Sequence, residues 1–290
     1  MNSQIGFLCS GELGFHCLKM LEKHLKLQFI FTDKNSHNII EYAQNNKIPH
    51  YIGNPREENA AKFLDNFKTD LIFSINYLFI VNQNILKHPN NFAINFHGSL
   101  LPKYRGRTPH VWAIINGESE TGITAHIMEE RCDTGDIVLQ EKVKIGFNNS
   151  GADILQKFKD RYPEMIKEII YLIKNNKLNK VKQDNKNATS FGKRTPKDGK
   201  INWNWQRERI RNWVRAQKYP YPGAFTLLNG EKVIIDEIRF SELGFNDVMP
   251  NGLIIDIQPR ILVKTPNGVV ELSIIRNENQ VIFNKNDQFL

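Results

Sequence analysis

No stretch of this chain approaches the 18 or more consecutive apolar residues of a membrane-crossing helix, so none is expected. Cysteine is scarce. Cys9, Cys17 and Cys132 are odd in number and form no C-x-x-C pair, which argues against a disulfide framework and for reduced thiols. His, Cys, Asp and Glu nowhere gather at metal-ligand spacing, so no metal is expected. There is no internal repeat and no low-complexity tract. Met1 to Gln4 lead straight into Ile5-Gly6-Phe7-Leu8-Cys9, with too short an apolar run and the wrong flanks for a signal peptide. A cytoplasmic protein is therefore expected, with no membrane partner.

What is present is an ordinary globular composition. The chain has 290 residues, of which 40% are hydrophobic and 24% charged, enough for one large domain or a large and a small one. The net charge is +8, and its excess is local: residues 151–218 hold 18 Lys and Arg against 7 Asp and Glu. The remainder is slightly acidic. Such a stretch suits an anionic partner such as a nucleic acid, a nucleotide or a phosphate. It equally suits a solvated helix face followed by a linker.

The first half alternates strands and helices. Gln4 to Cys9 reads as a strand, Ser10-Gly11-Glu12-Leu13-Gly14 as a turn, and Phe15 to Leu25 as a helix with Leu18, Leu21 and Leu25 on one face. A strand feeding a helix through a glycine turn can receive an anion, which singles out Ser10. The dinucleotide fingerprint G-x-G-x-x-G is missing. Further strands are predicted at Leu27–Phe31, Asp70–Ile75 and Phe92–Phe96, with helices over Asn38–Asn45 and Glu57–Phe67. This alternation predicts a doubly wound, Rossmann-like α/β domain. Longer strands follow at Thr121–Glu129 and Asp136–Ile145, then a helix over Ala152–Lys174. Asn175–Lys200 reads as a polar linker and Trp205–Gln217 as a short basic helix. Beyond Ala224, short strands parted by Asn229-Gly230, Asn251-Gly252 and Asn267-Gly268 predict a small all-β domain built of hairpins. The expected domains are residues 1–190, a linker and helix over 191–223, and the β domain over 224–290.

The densest chemistry lies in Asn95-Phe96-His97-Gly98-Ser99-Leu100-Leu101-Pro102-Lys103-Tyr104-Arg105-Gly106-Arg107, after a buried-type strand. Ligands of open α/β sheets bind at the carboxyl ends of strands. Asn95 and His97, two apart on a strand, face the same way. An amide donor beside an imidazole suits a developing oxyanion and a proton transfer. Asp133, in Arg131-Cys132-Asp133-Thr134-Gly135-Asp136, is the best third member, because a carboxylate orients a histidine ring. A satisfied polar pair and a plain Asp-Thr-Gly turn would look the same. The other seven histidines show no comparable setting.

The run Asn95 to Gly106 resembles the signature of the folate-dependent formyltransferase family. Glu120-Thr121-Gly122-Ile123-Thr124 and Cys132-Asp133-Thr134-Gly135-Asp136-Ile137 resemble it too, in order and spacing. The resemblance implies a Rossmann-like catalytic domain, 10-formyltetrahydrofolate as formyl donor, and Asn95, His97 and Asp133 as catalytic residues. It places the folate along Asn76, Tyr77 and Leu78 and along the loop from Met128 to Asp133. Within the family, Arg107-Thr108-Pro109-His110-Val111-Trp112 and Tyr219-Pro220-Tyr221-Pro222-Gly223-Ala224 resemble the enzymes that formylate amino groups of nucleotide-linked sugars. That likeness assigns substrate contacts to Ser10, Arg107, Thr108, Tyr219 and Tyr221, with Arg107 on a diphosphate and the tyrosines around a pyrimidine. It implies a dTDP-linked amino sugar, dTDP-4-amino-4,6-dideoxyglucose by preference, serving a cell-surface polysaccharide such as a lipopolysaccharide O-antigen. A homodimer is expected and nucleic acid is not. Two alternatives stand beside this reading. One is a methionyl-tRNA formyltransferase, disfavoured by the short Thr32–Asn38 stretch with its single lysine. The other is a non-catalytic nucleotide-binding protein on the same fold.

Overall fold

A computed structural model describes residues 3–290; the opening Met1-Asn2 of the leader reading lies outside the described residues. The chain forms two compact units. The first runs to Gly106 and resumes over Gly122–Val143 and Lys157–Phe191; the second comprises Arg107–Thr121, Lys144–Gln156 and Gly192–Leu290.

The chain order opens β1 (Gln4–Cys9), α1 (Gly11–Leu21), β2 (Lys26–Thr32), α2 (His37–Asn45), β3 (His50–Ile52), α3 (Glu58–Leu64), β4 (Leu71–Ile75), α4 (Gln83–Lys87) and β5 (Phe92–His97). It continues β6 (Arg105–Gly106), α5 (Pro109–Ile115), β7 (Glu120–Ile127), β8 (Ile137–Lys144), α6 (Gly151–Lys174) and β9 (Ser190–Phe191). One sheet has the order β3-β2-β1-β4-β5-β7-β8. Strands β1 to β5 pair in parallel, whereas β7 runs antiparallel to β5. This is the expected doubly wound α/β arrangement, with an antiparallel extension. The apolar runs that predicted buried strands explain it. Leu8, Phe29, Phe31 and Ile72 meet Ala60 and Leu64 of α3 and Ile85 of α4 in one core, and Tyr77 and Met128 pack against its rim. Each such fully buried side chain contributes about 1.5–3 kcal/mol. On α6, Phe158, Tyr162, Met165, Ile166 and Ile169 are buried, and the Tyr162 ring lies 5.7 Å from Phe96 of β5.

Asn175–Lys200 departs from the linker expectation. It carries β9, which pairs in parallel with β6, and two single-turn helices at Asn185–Asn187 and Pro196–Gly199. Its polar residues serve as hydrogen-bond partners for the first unit. Gln183, for example, binds the backbone of the β7–β8 loop. A polar composition reads as linker only while those partners are unseen.

The second unit adds α7 (Arg207–Ala216), β10 (Ala224–Leu228), β11 (Glu231–Ser241), β12 (Ile254–Asp256), β13 (Ile261–Thr265) and β14 (Gly268–Arg276). Its antiparallel sheet has the order β10-β11-β14-β13-β12. Asn229 and Gly230, both at positive φ, turn β10 into β11 as their sequence predicts. Asn267-Gly268 lies at the β13–β14 hairpin, where Thr265 pairs with Gly268. Asn251-Gly252 is different: it makes no strand-to-strand turn and precedes β12. A Cβ on Gly252 would sit 2.8 Å from the Phe289 carbonyl oxygen, so close backbone approach is what requires the glycine. Helix α7 buries Ile210, Trp213 and Val214, a spacing of three and four that turns one face inward.

Candidate active site

Strand β5 delivers the first two residues. In the antiparallel pairing, Asn95 lies opposite His126 of β7, and His97 opposite Thr124. Side chains directly opposite each other share a face, and so do residues two apart. Asn95, His97, Thr124 and His126 therefore project together. The Asn95 amide nitrogen is 3.2 Å from His126 Nε2, while His126 Nδ1 is 2.8 Å from the Ile127 carbonyl. A carbonyl only accepts, so Nδ1 of His126 carries the proton and Nε2 accepts from Asn95.

Asp133 arrives from the β7–β8 loop in a left-handed conformation, with φ +60°. Its Oδ1 is 3.4 Å from His97 Nδ1 and 3.6 Å from His126 Nε2. Its Oδ2 accepts from the Gly106 backbone N–H at 2.9 Å. Gly106 has φ +100°, and a Cβ there would lie 2.2 Å from the Phe191 carbonyl oxygen, so only glycine fits. Gln183 holds the loop from behind. It donates to the carbonyls of Asp133 and Gly135 at 3.0 and 2.8 Å and accepts from the Arg105 guanidinium.

The electrostatics separate the two charged candidates. Burial alone would raise the Asp133 carboxyl, but the Gly106 N–H, together with the positive charge that a proton on the facing nitrogen of His97 or His126 would bring, holds it well below the ordinary carboxylate range. It is an anion at every working pH. Burial pushes the His97 imidazolium down, and the pull of Asp133 and of the Tyr104 carbonyl does not fully reverse this. His97 is thus neutral at pH 7. Its Nε2 lies 2.8 Å from the Tyr104 carbonyl and must donate there, which leaves the Nδ1 lone pair beside Asp133. A proton taken up at Nδ1 would be stabilised at once by the carboxylate. The cluster can therefore offer an amide N–H to a developing negative charge and accept a proton next door.

The other residues singled out in the sequence are placed as follows. Asn76, with φ +52°, follows β4 and donates its amide to the Ser10 carbonyl at 3.1 Å. Ser10 is buried, and the neighbouring Gly11 N–H, at the start of α1, donates to Ser36, whose hydroxyl leans on Asp33. The Tyr77 hydroxyl donates to the Gly53 carbonyl, and Leu78 is 43% exposed. The Met128 N–H donates to the Ala93 carbonyl. Arg107, Thr108, Tyr219 and Tyr221 belong to the second unit. Arg107 is exposed, and Thr108, at φ +49°, precedes α5. The Tyr219 ring is 73% exposed. Tyr221 is partly buried, with its hydroxyl 3.0 Å from His110 Nε2. His126 is one of the seven histidines that show no comparable setting in the sequence, and Gln183 is not singled out there. The signal for His126 was the alternation Thr124-Ala125-His126, visible only once β7 is known to lie against β5. Gln183 offered no local signal.

An amide, two imidazoles and a carboxylate thus gather at the strand ends of the α/β sheet. Among the described residues no group of three His, Cys, Asp or Glu side chains is placed to hold a metal. Residues 17–170 match the family model described as formyl transferase, and residues 193–289 match the formyl transferase C-terminal domain. The chain belongs to the formyl transferase family. It is 32% identical over 288 residues to the bifunctional polymyxin resistance protein ArnA of Wigglesworthia glossinidia brevipalpis, with 97% of this chain aligned. The chain spans about 42% of the length of that relative. Two solved structures share the fold. WlaRD, a sugar 3N-formyl transferase crystallised with dTDP and 5-N-formyl-THF, superposes with TM-score 0.67 at 20% identity over 100% of this chain and 98% of its own. The N-formyltransferase of Helicobacter canadensis, in complex with folinic acid and dTDP-3-aminofucose, gives TM-score 0.70 at 21% identity over 94% and 99%.

Proposed function

We propose that the protein is an N-formyltransferase that moves a formyl group from 10-formyltetrahydrofolate to the amine of a dTDP-linked amino-dideoxy sugar. dTDP-4-amino-4,6-dideoxyglucose is the acceptor we favour, feeding a cell-surface polysaccharide. The observation that carries the reading is the Asn95–His126–Asp133–His97 cluster in a chain of this family. The bound folate supplies an activated formyl carbon. The residues fit such a donor: an amide N–H and a proton acceptor stand side by side, and Leu78 and Ile80, 43% and 49% exposed, give the loop after β4 an apolar surface.

In this reading, Asn95 spends one amide hydrogen on His126 and directs the other at the formyl oxygen, where negative charge develops during attack. A donor so placed is worth about 2.7–4 kcal/mol in other enzymes. His97 takes the proton released by the sugar amine at Nδ1, Asp133 stabilises the imidazolium that results, and that proton can pass to the departing tetrahydrofolate nitrogen as its bond to the formyl carbon breaks. Proton transfer to the neutral ring, rather than an imidazolium present from the start, accords with the downward shift of His97. Arg107 receives the diphosphate, Ser10 and Thr108 add polar contacts, and Tyr219 and Tyr221 hold the pyrimidine. Asn76, Tyr77, Leu78 and Met128 border the folate. A cytoplasmic homodimer belongs to the same proposal, to be read by light scattering.

The test is an acceptor panel with the formyl-folate donor, followed by mass spectrometry: dTDP- and UDP-linked 3-amino and 4-amino sugars beside methionyl-tRNA. Formylation of a dTDP-amino sugar is expected. Formylation of methionyl-tRNA alone would replace this reading with the tRNA enzyme, and no formyl transfer to any acceptor would point to a non-catalytic protein.

A further inference from the structure

The second unit contains a cleft of about 610 Å3, lined by α7, by the loop before α6 and by the middle of β11. Its charged walls are unequal. Asp236 is held by the Arg276 guanidinium at 2.5 and 2.9 Å, and Glu237 is paired with Arg239 at 3.1 Å. Both carboxylates therefore already have a cationic partner, although Glu237 also acts on Arg211. Arg211, Arg215 and Lys218 line the same cleft and remain.

The two arginines stand one helical turn apart and are held by neutral oxygens. Arg211 donates to the Phe147 carbonyl and the Asn148 amide oxygen, both at 2.8 Å. Arg215 donates to Asn212 Oδ1 and to the carbonyls of Gly146 and Asn149. Burial, together with the charge of Arg211, pushes the Arg215 guanidinium down to about 10, and burial lowers Arg211 as well. Among the described residues, the Nε hydrogen of Arg211 and the Nη2 hydrogens of Arg215 have no acceptor. The C-terminal end of α7 offsets some of the cost of Arg215 but supplies no full negative charge. The Arg211 guanidinium stacks on Phe147, 3.6 Å from the ring centroid, which fixes its plane. The fold thus holds two largely desolvated, mutually repelling cations side by side, and the one carboxylate whose charge reaches Arg211, Glu237, is shared with Arg239.

We propose that this cleft binds a diphosphate, either free or as the tail of a nucleotide. Guanidinium groups present paired N–H donors that match phosphate oxygens. Two of them a turn apart, with Lys218 beside them, suit two adjacent phosphates better than one. The site shares no residue with the catalytic cluster or with Arg107, Thr108, Tyr219 and Tyr221, and it does not depend on the identity of the acceptor.

The test is calorimetry on the full chain at low salt, with inorganic pyrophosphate and with dTDP as probes. Arg107→Ala, Lys218→Met and Arg211→Met are compared with the wild type. Pyrophosphate should still bind Arg107→Ala, in which the contact proposed for the acceptor's diphosphate is removed. Each of the other two variants should weaken it about tenfold or more, the usual consequence of losing a charge-assisted contact. Among the described residues the Lys218 ammonium has no hydrogen-bond partner, so Lys218→Met reads the site even if Arg211→Met fails to fold. In the Arg107→Ala background, dTDP affinity that falls with Lys218→Met identifies a nucleotide tail. Pyrophosphate sensitivity without dTDP sensitivity identifies a free diphosphate. No binding of pyrophosphate at millimolar concentration, or binding that vanishes with Arg107 and ignores Lys218 and Arg211, overturns the proposal.

Discussion

The Asn95 amide nitrogen and His126 Nε2 face each other at 3.2 Å, directly across the antiparallel β5–β7 pair. Because His126 Nδ1 is committed to a backbone carbonyl, its Nε2 can only accept, and this fixes the amide nitrogen of Asn95 as the end that faces His126. His126 is a positioning residue. His126→Leu removes the acceptor and should lower kcat about tenfold or more with little change in KM, the scale of an unmade buried hydrogen bond. His126→Gln offers a carbonyl in its place and should recover most of the rate. Equal loss in both variants would assign His126 a packing role only.

Asn95→Ala, His97→Ala and Asp133→Ala are each expected to lower kcat by roughly 100-fold or more, while substrate still binds. Since the three act as a unit, double variants should cost far less than the product of the singles. Steady-state kinetics with the best acceptor from the panel make the check. Near-normal turnover in His97→Ala would remove His97 from the chemistry.

Arg107→Ala should raise the acceptor KM about 10- to 150-fold and leave the folate KM unchanged, if its guanidinium holds a phosphate. An unchanged acceptor KM would take Arg107 out of the site.

His97 supplies a pH dependence of stability. Its folded pKa lies below the unfolded value of about 6.5, so the unfolded chain binds more protons there as pH falls. The stability attached to the neutral ring is full above pH 6.5 and is lost as pH drops toward the folded pKa. The groups that set this balance are Asp133, His126, Arg105 and the Tyr104 carbonyl. The stability gap between wild type and His97→Asn should therefore narrow from pH 7.5 to pH 5 in urea unfolding. A gap that widens would mean that His97 is held protonated.

Gln183→Ala releases the carbonyls of Asp133 and Gly135 and the Arg105 guanidinium. We expect a loss of about 1–3 kcal/mol, the cost of partly buried groups left unpaired. Amide exchange should quicken in the β7–β8 loop, and kcat should fall through the loosened Asp133. Unchanged exchange in residues 128–136 would show that the loop holds itself.

Local order in the sequence already determined a good part of this. The alternation of apolar runs and helical spacings spells out the doubly wound unit, because each strand and helix is decided by its own few neighbours. Asn95 and His97 were legible for the same reason: a two-residue spacing on a strand is enough to set a common face. The Asn229-Gly230 turn was legible from its backbone preference alone. Asp133 could be named from resemblance, but no local rule brings it to His97. That contact depends on its left-handed conformation, on the Gly106 N–H and on Gln183, 50 residues away. The role of His126 comes from the β5–β7 register, a long-range pairing that one strand does not encode by itself. The polar run over residues 175–200 read as linker for a related reason. Side chains that satisfy buried backbone groups look the same in sequence as side chains that face water, and only the tertiary structure decides which they do.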